Sequence, residues 1–131
     1  MLAVMLLAGR PQEALVGKAT YYAEGRMEQV AANRHMDLAG FRGGVALNDC
    51  AYLGRIVWLR WWSDNGVARI VGPFLTIDCA QAPHSALRER LRYVVEVDAE
   101  QARRMGMYGV GPRRVEVLFS EPEELWRWTP M

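Results

Sequence analysis

Gly54-Arg-Ile-Val-Trp-Leu-Arg-Trp-Trp62, Ser63-Asp-Asn-Gly66, Val67-Ala-Arg-Ile-Val71, Gly72-Pro73 and Phe74-Leu-Thr-Ile-Asp78-Cys79 form the stretch that decides the fold. The first segment alternates as a strand does. Ile56, Trp58, Arg60 and Trp62 share one face, and Val57, Leu59 and Trp61 share the other. Asn65-Gly66 between two apolar runs is the strongest short signal for a hairpin, because both positions tolerate the positive φ of a tight turn. The return strand runs through Val71 to Gly72-Pro73. Proline has no N–H for a ladder, so a bulge or an edge is expected there. Phe74, Leu75 and Ile77 then read as a buried or half-buried strand that delivers Asp78 at its carboxyl end. A carboxylate in that place is held by a rigid element beside a loop-lined mouth, which suits chemistry. It equally suits an acid that bonds the backbone of a turn.

Working outward, Val16-Gly-Lys-Ala-Thr-Tyr-Tyr22 is rich in strand formers. Residues 26 to 44 divide between a helical turn over Met27 to Ala32 and loop around Asn33, Gly40, Gly43 and Gly44. Val45 to Leu47 reads as a short strand. Beyond the Gln81 to His84 loop, Ser85 to Arg92 is a charged, helix-compatible insert, and its arginines Arg88, Arg90 and Arg92 read as a solvated face. Tyr93 to Val97 is a strand. Asp98 and Gln101 form a capping-box pattern before a helix from Ala99 to Met105, which Gly106 stops. Arg114 to Phe119 is the last strand, with Val115, Val117 and Phe119 on one face. Residues 120–131 form a tail carrying Trp126 and Trp128.

A chain of 131 residues that is 51% hydrophobic and 24% charged is one globular domain with room for a core. A net charge of +1 gives no electrostatic footprint for nucleic acid or an anionic membrane surface. Two histidines, His35 and His84, and two cysteines, Cys50 and Cys79, lack metal-ligand spacing. No phosphate loop or serine nucleophile elbow is present, so neither a metal nor a cofactor is expected. The apolar run Met1 to Ala8 is too short to span a bilayer. It resembles the end of a secretory signal, so residues 1–15 are read as a signal remnant or linker, without the usual positive start. The cysteines are either two buried thiols or one disulfide. If Asn65 and Gly66 form the turn, Asp64 faces Val67, and continuing that register brings Cys79 within two residues of facing Cys50. Proximity and the export signal together favour the disulfide.

Several segments in order carry a resemblance. Gly17-Lys-Ala-Thr-Tyr-Tyr22, the Asp78 strand, Glu96-Val-Asp-Ala-Glu-Gln-Ala-Arg-Arg-Met-Gly-Met107 and Gly111-Pro-Arg-Arg-Val-Glu-Val117 resemble the rare lipoprotein A type of double-psi β-barrel. The resemblance covers residues 16–119. It implies a mainly β, six-stranded double-psi barrel with one short helix and an irregular insert, acting outside the cytoplasm. Relatives of that barrel include lytic transglycosylase A, barwin, expansins and family 45 endoglucanases, whose shared ligand is polysaccharide. Peptidoglycan is the implied partner, with no nucleic acid, no stable membrane span and a monomeric chain.

Carried over residue by residue, Asp78 falls on the acid that looks catalytic in lytic members. Its Ile77-Asp78-Cys79 setting is closer to barwin and expansins. His35 and Asn48 stand where those members have a glutamate and a histidine, and Glu96 replaces an aspartate. Tyr21 and Tyr22 are implied neighbours of Asp78, and His84 a residue at the mouth. Glycoside cleavage needs a proton for the leaving oxygen, and hydrolysis needs a second group to activate water. A lone Asp78 therefore suits intramolecular transglycosylation better than hydrolysis. Two roles stay open for it: catalytic acid, or glycan-binding acid without turnover. Trp58, Trp61, Trp62, Trp126 and Trp128 are either sugar-stacking surfaces or packing residues.

Overall fold

The structure is a computed structural model that describes residues 14–80 and 84–127. Its strands are β1 (Ala14–Tyr21), β2 (Gly44–Leu47), β3 (Ile56–Trp62), β4 (Ala68–Cys79), β5 (Tyr93–Val97) and β6 (Arg113–Leu118). They close into a barrel in the order β1-β5-β2-β4-β3-β6. Two neighbours run parallel, β1 with β5 and β2 with β4, and the other four pairs run antiparallel. Among the described residues, closure gives every strand a neighbour on each side, which removes a route to aggregation.

The alternation read from the sequence fills the barrel. Val57, Leu59, Phe74, Val95, Val97, Val115 and Val117 are fully buried in one core cluster with Ala19, Val45, Leu47 and Met105. Each such side chain contributes about 1.5–3 kcal/mol by leaving water. Gly17 lies where β1 meets β5. A methyl group there would collide with the carbonyl oxygen of Arg92 and with Val94, so the close approach of the two strands requires glycine.

The hairpin forms with a different turn. Ser63 faces Val67, with Ser63 N–H donating to Val67 O at 2.9 Å and Gly66 N–H donating to Ser63 O at 2.9 Å. The loop is therefore three residues, Asp64, Asn65 and Gly66, with Gly66 at φ +81°. A type I turn followed by a left-handed glycine is the other favoured hairpin closure, and it shifts the register by one. The bulge expected at Gly72-Pro73 is present. Leu59 pairs with Val71 and Val57 with Phe74, so Trp58 alone faces both residues. The Gly72-Pro73 bond is cis.

More helix is present than the single short one expected. The described residues contain α1 (Arg26–Asn33), α2 (His84–Arg90), α3 (Ala99–Arg104) and α4 (Glu123–Arg127), with a 3-10 turn at Cys50–Tyr52. The stretch read as divided between helix and loop holds α1, because Met27, Val30 and Ala31 form an apolar stripe that packs on Ile77. The cap of α3 is as read: the Asp98 carboxylate accepts from Gln101 N–H at 2.7 Å. Of the stretch read as a signal remnant, residues 1–13 lie outside the described residues, and Ala14 and Leu15 open β1. No helix among the described residues is long and apolar enough to cross a membrane.

Cys50 and Cys79 form a disulfide with Cα atoms 5.0 Å apart. The hairpin register does not carry it, since β3 begins only at Ile56. Leu47 of β2 pairs in parallel with Cys79, and the 3-10 turn three residues later returns Cys50 to it. The bridge spans 29 residues, and a loop of that size confers about 3–4 kcal/mol by restricting the unfolded chain. Replacing both cysteines by serine is expected to lower unfolding stability in urea by about 3 kcal/mol. Peptide mapping of oxidised wild type should show one Cys50–Cys79 peptide.

Candidate functional site

The site follows from register on the outer face of the barrel. Thr20 of β1 pairs with Glu96 of β5, Glu96 pairs with Ala46 of β2, and Ala46 pairs with Asp78 of β4. Residues that face one another on neighbouring strands project to the same side. The row Thr20, Glu96, Ala46, Asp78 therefore crosses four strands on one face. Their chain neighbours Ala19, Val45, Leu47, Val95 and Val97 point into the core.

A bulge puts Asp78 there. Between Val45 and Ala46 the register of β2 against β4 slips by one residue, and the extra residue is Ile77. Ile77 and Asp78 consequently both turn toward α1. Ile77 lies beneath Met27, Val30 and Ala31. The next residue on that stripe, at the i, i+3, i+4, i+7 spacing, is Arg34. Its guanidinium donates to Asp78 Oδ1 at 2.8 Å. Tyr22 O–H donates to Asp78 Oδ2 at 2.7 Å, and Cys79 N–H donates to Oδ1 at 2.9 Å. Asp78 is thus an acceptor in all three contacts, with 18% of its side chain exposed. Burial, followed by the hydrogen bond to Asp78, pushes the Tyr22 phenol well above the usual tyrosine range, so Tyr22 stays a neutral donor.

Glu96 anchors the other end. Arg88 of α2 lies 3.3 Å from Glu96 Oε1 and donates to Thr20 Oγ1 at 3.1 Å and to Asn48 Oδ1 at 2.7 Å. Asn48 in turn donates to Tyr93 O at 2.7 Å, and the guanidinium lies over the Tyr93 ring. Arg88 is 13% exposed, which corrects its reading as part of a solvated face; Arg90 and Arg92 are exposed. Burial pushes the Glu96 carboxyl up, opposed by Arg88 and aided by the charge of Asp78. Beside Glu96 an open cleft of about 410 Å³ is lined by Cys79, Ala80, His84, Leu87 and Arg88.

Of the residues the sequence nominated, Asp78, Tyr22 and Glu96 come together. Asn48 supports the cluster through Arg88, and His84 lines the cleft while remaining exposed. Tyr21 parts from Tyr22, as alternation along an extended chain requires. It packs on the core, stacks on Tyr108 with centroids 5.1 Å apart, and its hydroxyl accepts from Gly109 N–H. His35 ends α1 at φ +55° and is exposed, off the stripe that brings Arg34 to Asp78. Trp61 packs on the core of β3, Trp62 lies under the Arg114 guanidinium, and Trp58 lies against Gly72. These three belong to β3, on the far side of β4 from the row. The side chain of Trp126, and Trp128, lie outside the described residues.

Sequence reasoning missed Arg34 and the inward course of Arg88. The heptad-like spacing of Met27, Val30, Ala31 and Arg34 was a legible signal for the first. The second carried none, because Arg88 sits in a run of alternating charge. Among the described residues no group of three or more histidine, cysteine, aspartate or glutamate residues is placed to hold a metal. Comparison of the chain with protein-family models, with curated proteins and with solved structures finds no match.

Two predictions follow from this geometry. Arg88→Met removes the counter-charge of a half-buried carboxyl and strands the Asn48 and Thr20 oxygens, so it should cost about 2–3 kcal/mol in urea unfolding. Glu96 holds its proton more tightly folded than unfolded. That favours the folded state at acid pH, and the advantage is lost as pH rises through its folded value. Relative to wild type, Glu96→Gln should therefore gain stability from the glutamate range to neutrality, read as the difference between urea midpoints.

Proposed function

We propose that this chain is an exported double-psi β-barrel that binds cell-wall polysaccharide, with peptidoglycan as its ligand, across the outer-face row ending at Asp78. The observation that carries the reading is the row itself. Hydrogen-bonding groups, Tyr22, Arg34, Asp78, Glu96 and Thr20, cluster on one face around the buried Ala46. Sugars present hydroxyl groups that both donate and accept, and a few positioned polar groups on a rigid sheet are what orients them. The closed order of six strands with two parallel neighbours agrees with a double-psi path. A disulfide is expected in an oxidising compartment, which supports export. Asp78 stands where the resemblance has its acid.

Pull-down on purified murein sacculi tests the reading, with cellulose and chitin as competitors. Wild type should sediment with sacculi, and Asp78→Ala should weaken binding at least about tenfold, equivalent to about 1.4 kcal/mol. Retention on cellulose or chitin alone would reassign the glycan. Wild type that binds none of the three would remove the polysaccharide reading and leave a barrel that serves another protein.

A further inference from the structure

The two cysteines of the disulfide meet different surroundings. Cys50 and its chain neighbours Asp49 and Ala51 are exposed, so a small molecule reaches this turn from outside. Cys79 is half-buried and lines the cleft of about 410 Å³ that also holds His84, Arg88 and Glu96. The bond is not what joins the strands here. Leu47 pairs with Cys79, and Ala80 N–H donates to Leu47 O at 3.0 Å, so β2 and β4 stay paired when the bridge opens. The two sulfurs also have neighbours of opposite charge. Asp49 precedes Cys50, and its carboxylate is held on the turn by Ala51 N–H at 2.9 Å. Arg88 shares the cleft with Cys79. Glu96 lies against the same guanidinium, but burial favours its neutral form, so it offsets that charge less than an exposed carboxylate does. Thiol–disulfide exchange is governed by access to the attacked sulfur and by how well the departing sulfur carries negative charge. An adjacent guanidinium stabilises a thiolate, and an adjacent carboxylate opposes one. Both criteria give one direction: Cys50 is the sulfur that is reached, and Cys79 is the sulfur that leaves.

We propose that the Cys50–Cys79 bond is a thiol-exchange site, at which Cys50 takes up a small external thiol and Cys79 is the resolving sulfur. The inference goes beyond the glycan reading and does not depend on it. In the step, the thiolate of a low-molecular-weight thiol attacks Sγ of Cys50. The S–S bond breaks, its electron pair passes to Cys79 as a thiolate in the cleft with Arg88, and a mixed disulfide remains on Cys50. Attack of the Cys79 thiolate on Cys50 expels the small thiolate and restores the bridge. The capped and bridged forms therefore interconvert without an oxidant or a reductant beyond the thiol itself. The site adjoins the candidate binding row, since Cys79 follows Asp78 and its N–H donates to Asp78 Oδ1.

The test is brief exposure of the oxidised full chain to glutathione, a quench with N-ethylmaleimide, and peptide mapping by mass spectrometry. Glutathione should be found on Cys50 and maleimide on Cys79, in excess of the reverse by about tenfold or more. The exchange should proceed at the same rate in urea concentrations below the unfolding transition, because it needs no global opening. Arg88→Met should cut the preference by about threefold or more, and Arg88→Lys should restore it because lysine keeps the charge. An arginine that only packs would leave the partition unmoved. When glutathione is removed, capped wild type should lose its adduct and regain the bridge, whereas Cys79→Ser should keep the adduct on Cys50. Glutathione on Cys79, an even split, or a partition that Arg88→Met leaves unchanged overturns the proposal. Exchange that appears only as urea unfolds the chain, or a cap that wild type retains once glutathione is gone, also overturns it.

Discussion

Closing a six-stranded sheet on itself obliges β1 to satisfy two neighbours at once, β5 in parallel and β6 in antiparallel pairing. Everything else in the molecule depends on that double contact. It is possible because Gly17 carries no side chain where the backbone of Arg92 passes, and because Ala19 is small and fully buried. A closed sheet leaves two surfaces only. The inner one is filled by valine, leucine, phenylalanine and methionine, and the outer one is covered locally by short helices. α1 and α3 are too short to be stable alone, so they persist by burying one face on the barrel.

The helices also deliver the charged side chains. α1 lies on Ile77 and carries Arg34 to Asp78 one turn beyond its apolar stripe. α2 carries Arg88 across β1, the end of β2 and β5, where it binds Thr20, Asn48 and Glu96. The outer-face cluster is thus built from four strands and two helices far apart in sequence. Its parts are held by hydrogen bonds to charged groups, which are stronger than those between neutral partners and constrain direction as well as distance. The two acids of the cluster have different neighbours. Asp78 accepts from Tyr22, Arg34 and Cys79 N–H, while Glu96 is half-buried and faces the Arg88 guanidinium.

Much of the fold was legible because strand periodicity is a local signal. The alternation in Ile56 to Trp62, the breaker pair Gly72-Pro73 and the Asp98–Gln101 cap all concern residues within a few positions of one another, and each forms as read. The turn at Ser63 to Val67 shows the limit. Asn65-Gly66 suits both a two-residue loop and a three-residue loop with a left-handed glycine, and only the twist of the flanking strands chooses between them. The disulfide was expected from the hairpin, yet it is closed by a parallel pair, β2 with β4, that local pattern cannot specify.

By itself the sequence determined a mainly β fold, most of its strands, the acid at the end of β4 and the two cysteines able to bridge. These follow from periodicity, composition and turn chemistry, which act over a few residues. The tertiary structure alone decided which residues surround that acid. It turned Tyr22 toward Asp78 and Tyr21 away, chose Arg34 over His35, and drew Arg88 in to meet Glu96. The reason is register. A one-residue slip in β4 at Ile77 reverses the face that Asp78 presents, and such a slip arises from packing between strands distant in the chain rather than from the residues beside it.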